Sequence, residues 1–132
     1  MSTAKPPRSS RPGPPRVITG AAFIAAGVLH FVIPDFYARV VPPIFGWPYF
    51  WTYFTGVAEI AGGAGLLTSR LRRPATMGLV ALLVCVWPVH FYMAIRPDVV
   101  SPGQLPMWLV WLRLPLQVPM ITWTAWAGFR GK

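Results

Sequence analysis

The sequence predicts an all-α fold, a polytopic membrane bundle of four helices, and three observations support this prediction. Of the 132 residues, 55% are hydrophobic and only 11% are charged, whereas soluble domains carry about 25% charged residues. The apolar residues fall into four long stretches separated by loops rich in proline and basic residues. No stretch shows the alternation of a membrane barrel, and lipid offers the backbone no hydrogen bonds, so helices are expected.

The charge distribution excludes one class of partner. Twelve Lys and Arg against three acids give a net charge of +9. A nucleic-acid-binding domain would place basic residues along one face of a folded element. Here they cluster between apolar stretches, so we expect no nucleic-acid partner. The single cysteine, Cys85, lies inside an apolar run, which excludes an intramolecular disulfide and a Cys-x-x-Cys redox pair.

The N-terminal segment, residues 1–16, is predicted to be a disordered basic tail. It holds five prolines and four basic residues, with no aromatic or branched aliphatic side chain to bury. The first span is predicted over 17–33, near the lower limit for crossing about 30 Å of hydrocarbon. A signal peptide has a similar beginning, but no small-x-small cleavage site with a polar mature start follows. We therefore expect an uncleaved first helix.

The remaining spans are predicted at about 47–67, 75–95 and 105–127, each long enough to cross a bilayer once. The loop after the first span, PDFYARVVPPIFGWPYFW, is aromatic and stiffened by prolines. Its Trp and Tyr side chains suit the headgroup level, where such residues concentrate. We expect this loop to lie on the outer surface as a lid.

Loop charges predict the orientation, because Lys and Arg concentrate on the cytoplasmic side of membrane proteins. The loop after the first span holds Arg39 with Asp35, and the loop after the third span holds Arg96 with Asp98. The formal charges of each of these two loops therefore cancel. Both termini are therefore expected in the cytoplasm, with the chain in an inner membrane of bacterial type. Nine basic residues fall on one side if there are four spans: Lys5, Arg8, Arg11, Arg16, Arg70, Arg72, Arg73, Arg130 and Lys132.

Glu59 and Arg113 are the only acid and base inside the predicted spans. Each one alone at mid-membrane costs about 2.5 to 3.5 kcal/mol on insertion scales, so each should face the bundle interior and find a partner. Counted from the outer ends of their spans, the two differ by only about 6 Å of rise. We therefore predict a Glu59–Arg113 ion pair, with Gln117, one turn below Arg113, as a third hydrogen-bonding member.

Small residues predict which helices touch. Gly56 and Gly63 share the helical stripe of Glu59, and such residues let helix backbones approach closely. We expect the first span to pack against this glycine side. The matching stripe on the first span is Ala22, Ala26 and His30.

His90 lies in the outer part of the third span, two residues after Pro88. Pro115 and Pro119 interrupt the fourth span in the same way, and helix prolines bend the axis. Two bent helices with polar side chains in their outer halves predict a small polar cavity that opens toward the periplasmic side. Its candidate ligand-binding residues are Glu59, Arg113, Gln117, His30 and His90.

Several uses of this cavity stay open. It is either an internal clasp that fixes helix order, or a site for a quinone head group or another small polar molecule, with Glu59 as a proton relay. His30 and His90 as two axial haem ligands form a third alternative, which we disfavour because the sequence holds no other haem signature. A metal site is disfavoured more strongly, since neither histidine has a second ligand at i+3 or i+4.

The chain resembles the DoxX-like family of small four-span membrane proteins over residues 27–117. The resemblance is carried by GVLHFVIPDFYARVVPP at the end of span one and by YFTGVAEIAGGAGLL in span two. SRLRRPATMGLVALLVCVWPVHFYMA in span three and WLVWLRLPLQ in span four complete it. The chain departs from the family at His90, in Pro88-Val89-His90, where members often carry Pro-Ala-Asn.

The resemblance implies an accessory or scaffold subunit of a membrane redox system, with a membrane or periplasmic redox protein as partner. That family includes subunits linked to thiosulfate:quinone oxidoreduction, proteins tied to oxidant defence, and assembly factors. We favour the absence of catalytic activity in the chain on its own. The alternative is a quinone-reactive or small-molecule-binding oxidoreductase component. The matching positions are His30, Pro34, Glu59, Arg113 and Gln117.

Overall fold

A computed structural model describes residues 11–96 and 106–129, and this part of the chain is helical without strands. The predicted all-α class is confirmed. Residues 1–10, which form most of the predicted tail, lie outside the described residues. In chain order the helices are α1 (Pro14–Val32), α2 (Pro34–Arg39), α3 (Pro48–Leu67), α4 (Arg72–Ile95) and α5 (Met107–Phe129), with a short 3-10 turn at Pro43–Phe45.

The four long helices begin and end within three residues of the predicted spans. The predicted tail ends inside the first helix, because α1 already begins at Pro14 rather than after Arg16. Proline is tolerated at the first positions of a helix, where its missing N–H has no intrahelical partner to lose. The two prolines at the start of α1 therefore open the helix rather than delay it.

Two helices of the described chain, α1 and α4, are long and apolar enough to cross a membrane. Two of the four predicted spans pass this test, and the four-span bundle stays a prediction. The other two long helices carry the glycine, aromatic, proline and charged residues from which the site was predicted, including Glu59 in α3 and Arg113 in α5. These residues lower the hydropathy of α3 and α5, although the two helices are 20 and 23 residues long.

The long helices form a closed ring of antiparallel neighbours. α1 packs on α3, α3 on α4, α4 on α5, and α5 returns to α1. Short α2 lies against α3 and α1 at the end of the bundle where α1 ends, which we call the α2 end. In this ring α3 and α5 occupy diagonal positions, and α1 and α4 occupy the other two.

Glycines bring the backbones of α1 and α3 into contact. A Cβ added at Gly63 would lie 2.6 Å from the carbonyl oxygen of Gly20, and one added at Gly27 would lie 2.6 Å from that of Gly56. Real Cβ atoms do not approach so closely, so a side chain at these positions would push the helices apart. The expected contact between the first span and the glycine side of the second is thus present.

The stripe of α1 at this contact differs from the predicted one. Gly20, Gly27 and His30 are buried there, whereas Ala22 is exposed. Gly20 and Gly27 are seven residues apart, as are Gly56 and Gly63. Two glycines at this spacing lie on the same face of a helix, about two turns apart. The glycine spacing was therefore a better indicator of the contact face than the predicted stripe.

Arg16 fastens the beginning of α1 to the end of α3. Its side chain is buried, and two of its guanidinium nitrogens donate to the carbonyl oxygen of Leu66, with the Nε–O distance at 2.9 Å. The last carbonyls of a helix have no partner within the helix, so the arginine satisfies an otherwise open acceptor. Arg16 was predicted to belong to the tail rather than to a helix contact.

The loop between α1 and α3 contains α2 and the 3-10 turn, followed by two residues with positive φ, Gly46 at 61° and Trp47 at 43°. Left-handed backbone is rare for a residue with a large side chain. Trp47 is 77% exposed, and neighbouring rings of Phe50 and Trp51 extend the aromatic surface.

The close contact at the glycines predicts how a substitution there changes the free energy of unfolding. We expect Gly63→Ala to lower the free energy of unfolding by about 1 to 3 kcal/mol, because the added methyl must displace the α1 backbone. The matched control is Gly78→Ala in α4, where an added Cβ meets nothing within 4 Å. Thermal unfolding of the purified proteins measures both, and equal stability of the two variants would contradict close backbone contact.

Candidate functional site

A histidine and a carboxylate meet where α1 crosses α3. The Nδ1 atom of His30 lies 3.5 Å from Oε2 of Glu59, and their side chains are only 8% and 14% exposed. Gly56, three residues before Glu59, makes this approach possible, since a Cβ there would lie 2.8 Å from the Cβ of His30. The glycine contact between the helices thus places the two polar groups side by side.

Hydrogen bonding fixes the orientation of the His30 ring. Its Nδ1 atom lies 2.8 Å from the carbonyl oxygen of Ala26, one turn earlier in α1. A carbonyl oxygen only accepts, so Nδ1 carries the proton of this bond. In the neutral ring the lone pair is then on Nε2, which is left to accept a hydrogen bond from another group.

Tyr37 completes the cluster from α2. Its ring stacks on that of His30 with centroids 3.8 Å apart and an interplanar angle of 18°. Burial raises the pKa of Tyr37, the negative charge of Glu59 raises it further, and the positive charge of Arg113 opposes them. The phenol therefore keeps its proton at neutral pH and can donate. We call His30, Tyr37 and Glu59 the polar cluster.

Sequence reasoning missed Tyr37, because the aromatic residues of this loop were assigned to the headgroup level. The signal that was available is its position in the PDFYARVVPP segment, seven residues after His30. Only the turn at Ile33 and the short helix that follows fold Tyr37 back over the histidine.

Two buried polar atoms in the described structure have no hydrogen-bond partner, Oε2 of Glu59 and Nδ1 of His90. Such a group typically costs about 1 to 3 kcal/mol. Buried polar atoms in folded proteins are nearly always paired, so an unpaired one calls for water or a ligand. In Glu59 the unpaired oxygen is the one that faces His30.

The predicted Glu59–Arg113 ion pair is wrong. Within residues 11–96 and 106–129, the charge partner at contact distance from Glu59 is His30, and no ion pair joins Glu59 to Arg113. The two side chains come from α3 and α5, which are diagonal in the ring. Counting residues from the helix ends gave comparable depths but carried no information about which helices are neighbours.

Arg113 instead lines an open groove at the α2 end. The groove has a volume of about 660 Å³, and Glu59 is not among its lining residues. The predicted polar cavity around a glutamate–arginine pair therefore becomes two separate places, the polar cluster and this groove, which we call the α2 groove. Six of the side chains that line it are Val32, Ile33, Asp35, Phe36, Arg39 and Arg113.

Gln117 ties α4 to α5. Its side chain is buried, and its amide nitrogen donates to the carbonyl oxygen of Leu83 at 2.6 Å. Close by, Nε1 of Trp87 donates to the carbonyl oxygen of Leu114 at 3.2 Å. The prediction of Gln117 as a third member of the ion pair is therefore wrong. Both bonds lie near the helix prolines Pro88 and Pro115.

His90 lies on α4, and its buried Nδ1 atom has no hydrogen-bond partner among the described residues. Of the predicted site residues, the structure thus brings His30 and Glu59 into contact and places Arg113 in the α2 groove, whereas Gln117 links α4 to α5. The described residues contain no group of three or more His, Cys, Asp or Glu that could hold a metal ion.

Fold and site together define a class, a small helical protein with four antiparallel helices and an incompletely paired polar cluster between two of them. A family model described as a domain of unknown function (DUF8561) matches residues 19–128, which include most of α1 and nearly all of the rest of the bundle. The chain belongs to this family. No curated protein and no solved structure matches the chain.

A double-mutant cycle distinguishes the two possible partners of Glu59. We expect Glu59→Gln and His30→Gln to couple by about 1 kcal/mol in unfolding free energy, because the side chains are in contact. Glu59→Gln and Arg113→Gln should be additive within about 0.5 kcal/mol. Chemical unfolding of the three single and two double variants measures both couplings, and a larger coupling to Arg113 would restore the original pairing.

Proposed function

We propose that this chain is an integral membrane protein whose four long helices each cross the bilayer. Two of them, α1 and α4, have the length and hydropathy of spans. The other two alternate with them in the same antiparallel ring and, at 20 and 23 residues, match a bilayer thickness of about 30 Å. Large apolar side chains are exposed on all four helices, for example Ile18, Val57, Val84 and Val118. A lipid bilayer is a suitable environment for such an apolar surface.

Both termini are proposed to lie in the cytoplasm of a bacterial-type cell, with the α2 end facing the periplasm. Arg70, Arg72 and Arg73 stand at the link between α3 and α4, at the end opposite to α2. At the α2 end, Asp35 offsets Arg39 in formal charge. The excess of basic residues supports a cytoplasmic location for the opposite end.

Cysteine labelling tests this topology. In a Cys85→Ser background, Ile44→Cys lies in the loop at the α2 end and Leu71→Cys at the opposite end, and both side chains are well exposed. We expect a membrane-impermeant maleimide to label position 44 in intact spheroplasts and position 71 only after detergent is added. Labelling of position 71 without detergent, or release of the protein into the soluble fraction, would contradict the proposed topology.

Within this bundle we propose that the polar cluster binds the head group of a small molecule of the quinone class, and that the chain serves as an accessory subunit of a membrane redox system. The observation that supports binding is the buried, unpaired Oε2 of Glu59 beside His30. A hydroxyl of the reduced head group could donate to this oxygen, and the Tyr37 phenol could donate to a carbonyl. The redox chemistry belongs to the ligand, whereas Glu59 would hold or accept a proton.

The resemblance to DoxX-like proteins supports the redox association, since it is carried by the segments that contain His30 and Glu59. A scaffold without ligand is the second candidate. It is favoured by the interhelical hydrogen bonds of Arg16 and Gln117, which tie α1 to α3 and α4 to α5 without any small molecule. The two candidates differ in whether the polar cluster needs an occupant.

A quinone-binding measurement distinguishes a ligand-binding subunit from a scaffold without ligand. We expect purified wild-type protein to bind a short-chain ubiquinone, measured by quenching of tryptophan fluorescence. Glu59→Gln should weaken the affinity about tenfold, because it replaces a charged hydrogen-bond acceptor by a neutral amide. Cys85→Ala, an exposed site in α4, is the control and should bind like wild type.

Absence of saturable binding in a folded wild-type protein would favour the scaffold. Equal affinity of wild type and Glu59→Gln would remove the polar cluster from the binding site. Circular dichroism on the same samples verifies that each variant keeps its helices.

A further inference from the structure

Arg113 is the basic residue within α5. It is half-buried, and no hydrogen bond or ion pair joins its guanidinium to another described residue. The acid expected to pair with it, Glu59, is in contact with His30. An arginine within a membrane helix is costly unless it reaches water, an interface or an anion.

The α2 groove has the charge to receive an anion. Two arginines and one aspartate line it, which leaves one positive charge in excess. Oδ1 of that aspartate, Asp35, already accepts a hydrogen bond from the hydroxyl of Tyr49 at 2.5 Å. A phosphate matches an arginine well, since the guanidinium presents several N–H donors in one plane.

The rest of the groove is apolar, which indicates what the anion is attached to. Val32 and Ile33 are 65% and 45% exposed, and Phe36 lies beside them on the groove wall. A free phosphate ion gains nothing from such walls, whereas an acyl chain buries apolar surface against them.

The groove also lies at the depth of lipid head groups if the chain spans the bilayer as proposed. It is at the α2 end, where α1 ends. Trp108 and Trp111, in the first turns of α5 just before Arg113, are 67% and 53% exposed. Tryptophan concentrates at the interface between hydrocarbon and water, and a long arginine side chain extends to the same level.

We propose that the α2 groove binds an anionic phospholipid, with the phosphate on Arg113 and an acyl chain along Val32 and Ile33. Arg39 contributes charge at the same site. The proposal rests on the proposed membrane location but not on quinone binding. It assigns Arg113 a partner from the bilayer in place of the acid that lies elsewhere in the bundle.

Native mass spectrometry of the full chain in detergent tests the proposal, with added phosphatidylglycerol as the probe. We expect wild-type protein to retain one phosphatidylglycerol, and Arg113→Gln to retain it about fivefold less, as expected for the loss of one basic residue. Arg113→Lys keeps the charge and should retain more lipid than Arg113→Gln. The matched control is Arg73→Gln, an exposed arginine at the opposite end, which should bind like wild type.

Two further comparisons identify the source of the anion. Phosphatidylcholine should be retained less than phosphatidylglycerol, and inorganic phosphate should not raise the melting temperature of the wild-type protein. Equal lipid retention by wild type and Arg113→Gln would overturn the proposal, as would an equal loss in Arg73→Gln or equal stabilisation by inorganic phosphate. Retention of lipid that depends on Arg113, in a protein that binds no quinone, would leave the groove assigned while removing the function proposed for the polar cluster.

Discussion

The contact between the backbones of α1 and α3 brings together His30 and Glu59, two members of the polar cluster. Gly20 and Gly27 lie against Gly63 and Gly56 with no room for a Cβ. At this separation His30 reaches Glu59 directly. In a membrane, where burial of apolar surface does not drive helices together, such close packing is a main source of helix association. The same contact that stabilises the bundle therefore also assembles the cluster.

The order of the helices in the ring keeps Glu59 and Arg113 apart, although their similar depths along the helices predicted an ion pair. Glu59 on α3 and Arg113 on α5 are diagonal, and α1, which lies between them, supplies His30 as the nearer partner. The short helix α2 connects the two resulting places. Its Tyr37 stacks on His30, while Asp35 and Arg39 of the same helix line the groove with Arg113.

Polar residues in these helices serve different purposes, which residue type alone does not distinguish. The amide nitrogen of Gln117 and the indole N–H of Trp87 each donate to a backbone carbonyl of the neighbouring helix. Both bonds occur where prolines interrupt α4 and α5. By contrast, Oε2 of Glu59 is buried without a hydrogen bond. Satisfied groups hold helices together, whereas an unsatisfied one marks a place where another molecule can bind.

By itself the sequence determined the helical class, the bounds of four long helices to within three residues, and the contact between the first span and the glycine side of the second. These follow from local composition and from spacing along one helix. Only the tertiary structure decided which polar side chains meet, namely Glu59 with His30 and Tyr37 rather than with Arg113. Periodicity fixes the face and depth of a residue on its own helix, but the lateral order of helices depends on packing between segments far apart in the chain.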